Sequence, residues 1–226
     1  MESSSAPKNS SPNNLMKFLI TAGPTREPID PVRYLSNRSS GKMGFTLAGT
    51  AAMAGHQVTL IAGPVNIATP EGVDRVDVTT AEEMYEAVAA CINDADCAIM
   101  TAAVADYRPA EVADQKIKKS DDALNLTLIK TRDILGSARG PMGFGGLLVG
   151  FAAETENLEA NAAAKLEKKG CNVVIANDVS KPGIGFDSNE NEVLVLQRGA
   201  PTITIQQAAK SKIAAAIILL CESLKQ

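Results

Sequence analysis

Short runs of apolar, often β-branched residues alternate along the chain with longer stretches in which Ala and other apolar residues recur at helical spacing. The short runs fall at 17–21, 57–62, 73–78, 97–101, 147–151 and 172–176, and their near-continuous apolarity is that of strands buried on both faces. The longer stretches at 41–54, 81–93, 133–139, 157–169 and 206–224 read as helices. Strand followed by helix, repeated, predicts an α/β fold: a Rossmann-like, three-layer architecture with a parallel sheet and helices on both faces. Two segments break the alternation. Residues 192–197 and 202–205 alternate around Arg198-Gly199-Ala200-Pro201 and predict a hairpin on the sheet edge. Residues 108–130 are polar and lysine-bearing and end in the strictly alternating Leu124-Asn125-Leu126-Thr127-Leu128-Ile129. They predict a β-ribbon or flap projecting from the domain, an arm able to cover a site or pair with a second subunit.

Composition narrows this picture. The 226 residues are 45% apolar, enough for one domain with a continuous core, here residues 16–226. Residues 1–15, rich in Ser, Pro and Asn, read as a disordered tail without a secretory signal. Aromatics are 4% and Trp is absent, so the core must rest on Ala, Val, Ile and Leu. A net charge of -4 argues against a protein held on nucleic acid by bulk charge. The longest apolar run, Ile213 to Leu220, is too short to span a membrane. Cys91, Cys97, Cys171 and Cys221 show no CxxC spacing and, with His56 the only histidine, do not readily build a zinc site. They read as free thiols of a cytoplasmic protein, Cys97 and Cys171 as small buried side chains. His56, after Gly55 at a helix-to-strand junction, reads as a turn residue.

In an open parallel sheet, ligands bind beyond the carboxyl ends of the strands. After the first strand comes a long connection, Thr21-Ala22-Gly23-Pro24-Thr25-Arg26-Glu27-Pro28 running on through Arg33, Asn37, Ser39, Ser40 and Gly41 to Lys42-Met43-Gly44 and an Ala-rich helix. Ser39, Ser40 and Gly41 stand where that helix begins and suit a phosphate, although a Ser N-cap followed by Gly explains them equally well. Asn37 can donate to an oxygen and accept from an amine, and Arg33 offers a forked cation. After the fourth strand, Thr101-Ala102-Ala103-Val104-Ala105-Asp106 permits close backbone approach and ends in a carboxylate suited to a sugar or to metal-bound water. Lys116-Ile117-Lys118-Lys119 on the flap is either a solvated charge run or a phosphate contact. Lys165 and Lys169, four apart on one helix face, suit a polyphosphate or pairing with a neighbour such as Glu159. An NAD(P)-dependent reductase fits poorly. No GxGxxG occurs, the second strand ends in Ile61-Ala62-Gly63-Pro64 without a ribose-binding acid, and no Tyr is followed by Lys four residues on. A non-catalytic nucleotide-binding module is the alternative from another class.

These residues in combination resemble the phosphopantothenoylcysteine synthetases, the ligase domain of bacterial coenzyme A biosynthetic flavoproteins. The likeness runs from Lys17 to the C-terminus. It is carried by Ile20 to Pro28, Ser36 to Gly44, Ala102 to Tyr107, Lys116 to Lys119, Gly150 to Thr155 and Ala176-Asn177-Asp178-Val179. The resemblance implies a CTP-dependent ligase joining 4'-phosphopantothenate to L-cysteine through an acyl-cytidylate, with release of pyrophosphate and CMP. It implies Lys116 for the first step and Asn37 for the second. Arg33 and Ala103 would position the acyl intermediate, and Ser39, Ser40 and Gly41 would take the substrate's phosphate. CTP would contact Met100, Thr101, Ala102, Asp106, Lys116, Arg132, Asp133, Ile134, Leu135, Phe151, Lys165 and Lys169. Magnesium would arrive on the triphosphate, with no dedicated metal cage and no flavin in this chain. Family members are dimers, so a homodimer is implied, with flap and hairpin as contacts. Bacterial members carry a flavin-dependent decarboxylase ahead of this domain, so a separate phosphopantothenoylcysteine decarboxylase is a candidate partner. One departure stands out: Thr131-Arg132-Asp133-Ile134 occupies the place where relatives often have Asn-Pro-Asp-Ile. The CTP preference is inherited from the resemblance, since eukaryotic relatives can use ATP.

Overall fold

The computed structural model describes residues 15–119, 123–178 and 188–225, so nearly all of the expected tail and three residues of the flap lie outside it. Six strands run parallel: β1 (Lys17–Ala22), β4 (Gln57–Ala62), β5 (Val73–Asp77), β6 (Cys97–Met100), β9 (Leu147–Glu154) and β10 (Val173–Asp178). Two antiparallel strands, β11 (Glu190–Gln197) and β12 (Ile203–Ala209), extend the sheet beyond β10. The spatial order is β12-β11-β10-β9-β6-β1-β4-β5. Counting the parallel strands along the chain gives 3-2-1-4-5-6, the doubly wound order, so the chain departs in opposite directions on either side of the β1/β6 pair. A crevice at the carboxyl ends of those two strands follows from that reversal.

Alternate side chains of each strand serve two separate cores. Phe18, Ile20 and Ala22 of β1, with Val149 and Ile175, pack under α1 (Lys42–Met53) and α5 (Lys210–Leu224). Leu19, Ala98, Leu148 and Val174 pack under α2 (Ala81–Cys91), α3 (Ile134–Ser137) and α4 (Leu158–Lys168). Fully buried aliphatic residues dominate both, as the scarcity of aromatics requires. Helix α1 lies unusually close to the sheet: a Cβ added to Gly44 would come within 2.5 Å of the Ala22 Cβ and 2.6 Å of the Thr101 Oγ1. Cys97, Cys171 and Cys221 are buried, and burial pushes the Cys171 thiol up to about 11. His56 is buried at its turn, where Nδ1 accepts from the Met16 N–H and Nε2 lies 2.7 Å from Glu222 Oε1. It ties the start of β1 to the end of α5, at the end of the sheet opposite the crevice.

Three expectations need correction. The connection after β1 is not a loop throughout, because it holds an antiparallel hairpin, β2 (Arg26–Asp30) and β3 (Arg33–Ser36). Among the described residues the flap is a ribbon only near its root, where β7 (Tyr107–Pro109) pairs with β8 (Leu128–Lys130) and the Ala110 N–H donates to the Thr127 carbonyl at 2.9 Å, while the alternating residues 124–126 pair with no named strand. The last helix begins at Lys210, not 206, because residues 206–209 continue β12 along β11, with Ala209 opposite Glu190 and Ala208 opposite Asn191.

Candidate functional site

A cavity of about 790 Å3 opens over the carboxyl ends of β1, β6, β9 and β10. Its walls come from both helical layers. On the α1 side the connection after β3 descends through Asn37, Ser39, Ser40 and Gly41. Gly41, with φ of +78°, is the N-cap residue of α1, and no side chain caps the helix. The reading of Ser39 as the N-cap is not met: its Oγ accepts from the Gly41 N–H at 3.3 Å and does not cap the helix. The amide end of α1, with the positive end of its dipole, therefore meets the cavity uncapped, where Lys42, Met43 and Gly44 line the wall.

The loops after β1 and β6 are stitched across the reversal point. Ala103 N–H donates to the Gly23 carbonyl at 2.9 Å, and the Thr25 N–H to the Ala103 carbonyl at 3.3 Å. Asn37 Nδ2 donates to the same Ala103 carbonyl at 2.9 Å, fixing the amide at the edge of the crevice. Thr21 Oγ1 accepts from the Ala102 N–H at 3.2 Å, and Thr25 Oγ1 from the Ala105 N–H at 3.0 Å. Met100, Thr101, Ala102, Ala103 and Asp106 thus line the cavity on a backbone held from below.

The α3 and α4 side is cationic. Asp133 caps α3 by accepting from the Gly136 N–H at 2.8 Å, and Lys169 is paired with the same carboxylate. Burial alone would raise the Asp133 carboxyl, but the Lys169 ammonium and the Gly136 N–H outweigh it and hold the group below its ordinary range. Lys165 donates to the Phe151 carbonyl at 2.7 Å, and burial pulls its ammonium below the usual lysine value. Neither lysine pairs with Glu159, which accepts instead from Thr202 Oγ1 at 2.9 Å. Arg132 lies over the Tyr85 ring at 3.2 Å and donates to Glu82 Oε1 at 2.6 Å, so α2 holds this guanidinium on the cavity wall. Ile134, Leu135 and Phe151 complete that wall.

The structure gathers every sequence-derived site residue except two. Arg33 and Lys116 do not line the cavity. Arg33 is paired with Asp30 within the β2–β3 hairpin, and Lys116 is exposed on the flap. Sequence reasoning in turn gave no site role to several polar residues on the wall, among them Lys42 and Asn177, which it met only within motifs, and Lys130, Lys168, Asn191 and Lys210. Asn177 could have been found by its place at the end of the last parallel strand. Lys210 was hidden by the misplaced start of α5; it is 6% exposed and donates to the Ser188 carbonyl.

Among the described residues no group of three or more His, Cys, Asp or Glu could hold a metal ion. No helix of the described residues is long and apolar enough to cross a membrane.

Known proteins share this framework. Residues 14–224 match the family described as DNA/pantothenate metabolism flavoprotein C-terminal domain. The coenzyme A biosynthesis bifunctional protein CoaBC of Vibrio parahaemolyticus is 52% identical over 178 residues, 78% of this chain and 45% of that protein. The CoaBC of Escherichia coli is 48% identical over 204 residues, 87% of this chain and 50% of that protein. The chain therefore spans about half the length of the curated relatives it matches. A crystal structure of the C-terminal domain of CoaBC superimposes with a TM-score of 0.79 at 39% identity, covering 94% of this chain and 97% of that one. A structure described as a complex with phosphopantothenate-cysteine shares the fold, with a TM-score of 0.76 at 14% identity over 94% of this chain and 87% of that one. With nearly its whole length matched, the chain belongs to the DNA/pantothenate metabolism flavoprotein C-terminal domain family.

Proposed function

We propose that this chain joins 4'-phosphopantothenate to L-cysteine in two steps, using CTP. The observation that carries the reading is one cavity at the strand reversal point that combines an uncapped helix N-terminus, the Asn37 amide and a lysine-rich wall. A carboxylate acylates an amine at neutral pH only when its oxygen becomes a good leaving group. In the first step the substrate carboxylate oxygen attacks the α-phosphorus of CTP, the bond to the bridging oxygen breaks, and pyrophosphate departs. In the second the cysteine amine attacks the acyl carbon, the carbon–oxygen bond to CMP breaks, and the nitrogen loses a proton.

The residues divide between these steps. Met100, Thr101, Ala102 and Asp106, with Arg132 to Leu135, Phe151, Lys165 and Lys169, hold the nucleotide. Ser39, Ser40 and Gly41 take the substrate's phosphate at the amide end of α1. Asn37, already oriented by the Ala103 carbonyl, stabilises the oxyanion as the amine adds. Lys116 stabilises charge on the α-phosphoryl oxygens, and Arg33 positions the acyl intermediate. Magnesium fits as a passenger on the triphosphate: the wall offers lysines to the phosphates and the Asp106 carboxylate to an ion-bound water, and the ion would neutralise phosphate charge when bound. No flavin is required for either step.

Lys116 and Arg33 lie outside the cavity of their own chain, and Tyr34 on the hairpin and Tyr107, Leu124 and Leu128 on the flap are 43 to 52% exposed. This supports a homodimer in which flap and hairpin meet the partner and complete its site. The protein works in the cytoplasm, beside a phosphopantothenoylcysteine decarboxylase that consumes its product.

Pyrophosphate release tests the reading, with magnesium, 4'-phosphopantothenate and either CTP or ATP, each with and without cysteine. The expected result is a single burst without cysteine, steady release with it, and a preference for CTP. Folded protein that binds CTP yet releases no pyrophosphate under any condition overturns the ligase in favour of a silent nucleotide-binding module.

A further inference from the structure

Asp30 is a charged residue that the reaction above does not use, yet its side chain is wholly buried and saturated with donors. Oδ1 accepts from the Val32 N–H at 2.9 Å and the Arg33 N–H at 3.0 Å, closing the turn between β2 and β3. Oδ2 accepts from Arg33 Nε at 2.9 Å, from Arg33 Nη2, and from the Ile117 N–H at 3.1 Å. The last of these donors belongs to the flap, 87 residues away. Arg33 Nη2 then donates to the carbonyl of the same residue, Ile117, at 3.1 Å. One ion pair therefore grips both backbone polar groups of a single flap residue, as a neighbouring strand would. The adjacent bond, from the Ala113 N–H to the Ile29 carbonyl at 3.0 Å, reinforces this contact. The hairpin is in turn fixed to the domain, because Glu27 on β2, 1% exposed, accepts from the Ala81 N–H at the start of α2.

We infer that Asp30 is a positioning residue for Lys116: through Arg33 and the backbone of Ile117 it fixes the point on the flap from which that lysine is presented to the nucleotide. The geometry requires a carboxylate. Five N–H groups converge on its two oxygens, and an amide would offer one accepting oxygen and turn two donors against one another. Arg33, which the sequence suggested as a substrate contact, acts here as the second jaw of this clip. The inference rests on the ligase reading for its kinetic consequence, but the clip itself is tested independently of turnover.

The test uses the full chain with Asp30→Asn, read in two ways. By hydrogen exchange, the Ile117 amide should lose about 10-fold to 100-fold of its protection, the range of a charge-assisted hydrogen bond, while amides of β1 keep theirs. In single-turnover pyrophosphate release the burst should slow by about 10-fold or more, with CTP affinity unchanged. Combined with Lys116→Ala, the same substitution should add less than about twofold, because the two act through one group. Unchanged exchange at Ile117 overturns the clip even if the enzyme turns over as proposed. Additive losses in the Lys116→Ala background overturn the positioning role. If the wild type releases no pyrophosphate at all, the ligase reading and the positioning role fall, while exchange still decides the clip. Should Asp30→Asn fail to fold, Ile117→Pro removes the same hydrogen bond from the flap side; position 117 then has no amide to exchange, so loss of protection is read at the Ala113 amide, bonded to the Ile29 carbonyl beside it, and the burst is read as before.

Discussion

The cavity and the appendage of hairpin and flap are built on opposite principles. The cavity sits on strand ends whose side chains are almost wholly buried and whose loops are joined backbone to backbone, as between Gly23 and Ala103. The appendage consists of two short ribbons that add buried carboxylates, Glu27 to α2 and Asp30 to Ile117, to backbone bonds such as that from Ala113 to Ile29. Among the described residues, eight of the thirteen exposed large hydrophobic side chains are on it: Val32, Tyr34, Tyr107, Val112, Leu124, Leu126, Leu128 and Ile129. The contrast suggests a division of labour. On the proposed function, the preformed cavity would bind the nucleotide, and the appendage would bring Lys116 to it as charge develops.

The sharpest way to break this division is to remove one residue from each region. Asn37→Ala in the cavity and Lys116→Ala on the appendage should each cost 10²-fold to 10³-fold in rate, about 3 to 4 kcal/mol, the usual loss for one donor to developing charge. The losses should fall on different steps. Lys116→Ala should slow the pyrophosphate burst, whereas Asn37→Ala should leave the burst and slow release in the presence of cysteine. Rapid-quench kinetics with labelled CTP separates the two. If both variants slow the same step, the division between regions is wrong.

Stability should separate the regions as clearly. Gly44→Ala drives a methyl group into Ala22 and Thr101, so α1 must lift from the sheet at a cost of about 1 to 3 kcal/mol, read as a lower urea midpoint. Leu128→Ser, at a side chain exposed in the single chain, should move that midpoint by about 0.5 kcal/mol or less when measured on dilute, dissociated protein. Sedimentation at higher concentration should then show weakened self-association. A Leu128→Ser protein that associates like the wild type would remove the flap from the interface.

The same contrast explains what could be read from the sequence. Strands such as Phe18 to Ala22 and Val173 to Ala176 announce themselves because apolar burial leaves a pattern. The strand-end rule then located Thr101 to Ala103 and Asp106, and the family resemblance added Met100 and Phe151, all of which line the cavity. The β2–β3 hairpin was illegible for a physical reason. Its inward positions are Glu27 and Asp30, which read as exposed, and only the folded chain supplies the N–H groups that make their burial affordable. Conversely, residues 124–126 have a strand's alternation but pair with no named strand among the described residues, and Gln206 to Ala209 have a helix's composition but pair with β11. Local pattern cannot see a partner that is distant in sequence.

The smallest expected effect concerns acid. Hydrogen bonds from Arg33, and further ones from Val32 and Ile117, hold the Asp30 carboxyl well below the usual carboxylate range despite its burial. Around and below the ordinary value of about 4, the unfolded chain therefore binds more protons at this position than the native one, and stability rises with pH. The contribution is complete above that value and declines as the pH falls through it toward the depressed native one. Asp96, held down by the Lys17 N–H and by Lys225, and Asp133 act in the same direction, so the wild-type slope alone does not isolate Asp30. The difference between wild type and Asp30→Asn does. Thermal midpoints taken from pH 6 to pH 3 should converge as the pH falls, because the variant has no carboxylate there to protonate. Parallel curves would mean that the charge of Asp30 does not hold the appendage, and that the backbone bond between Ala113 and Ile29 suffices.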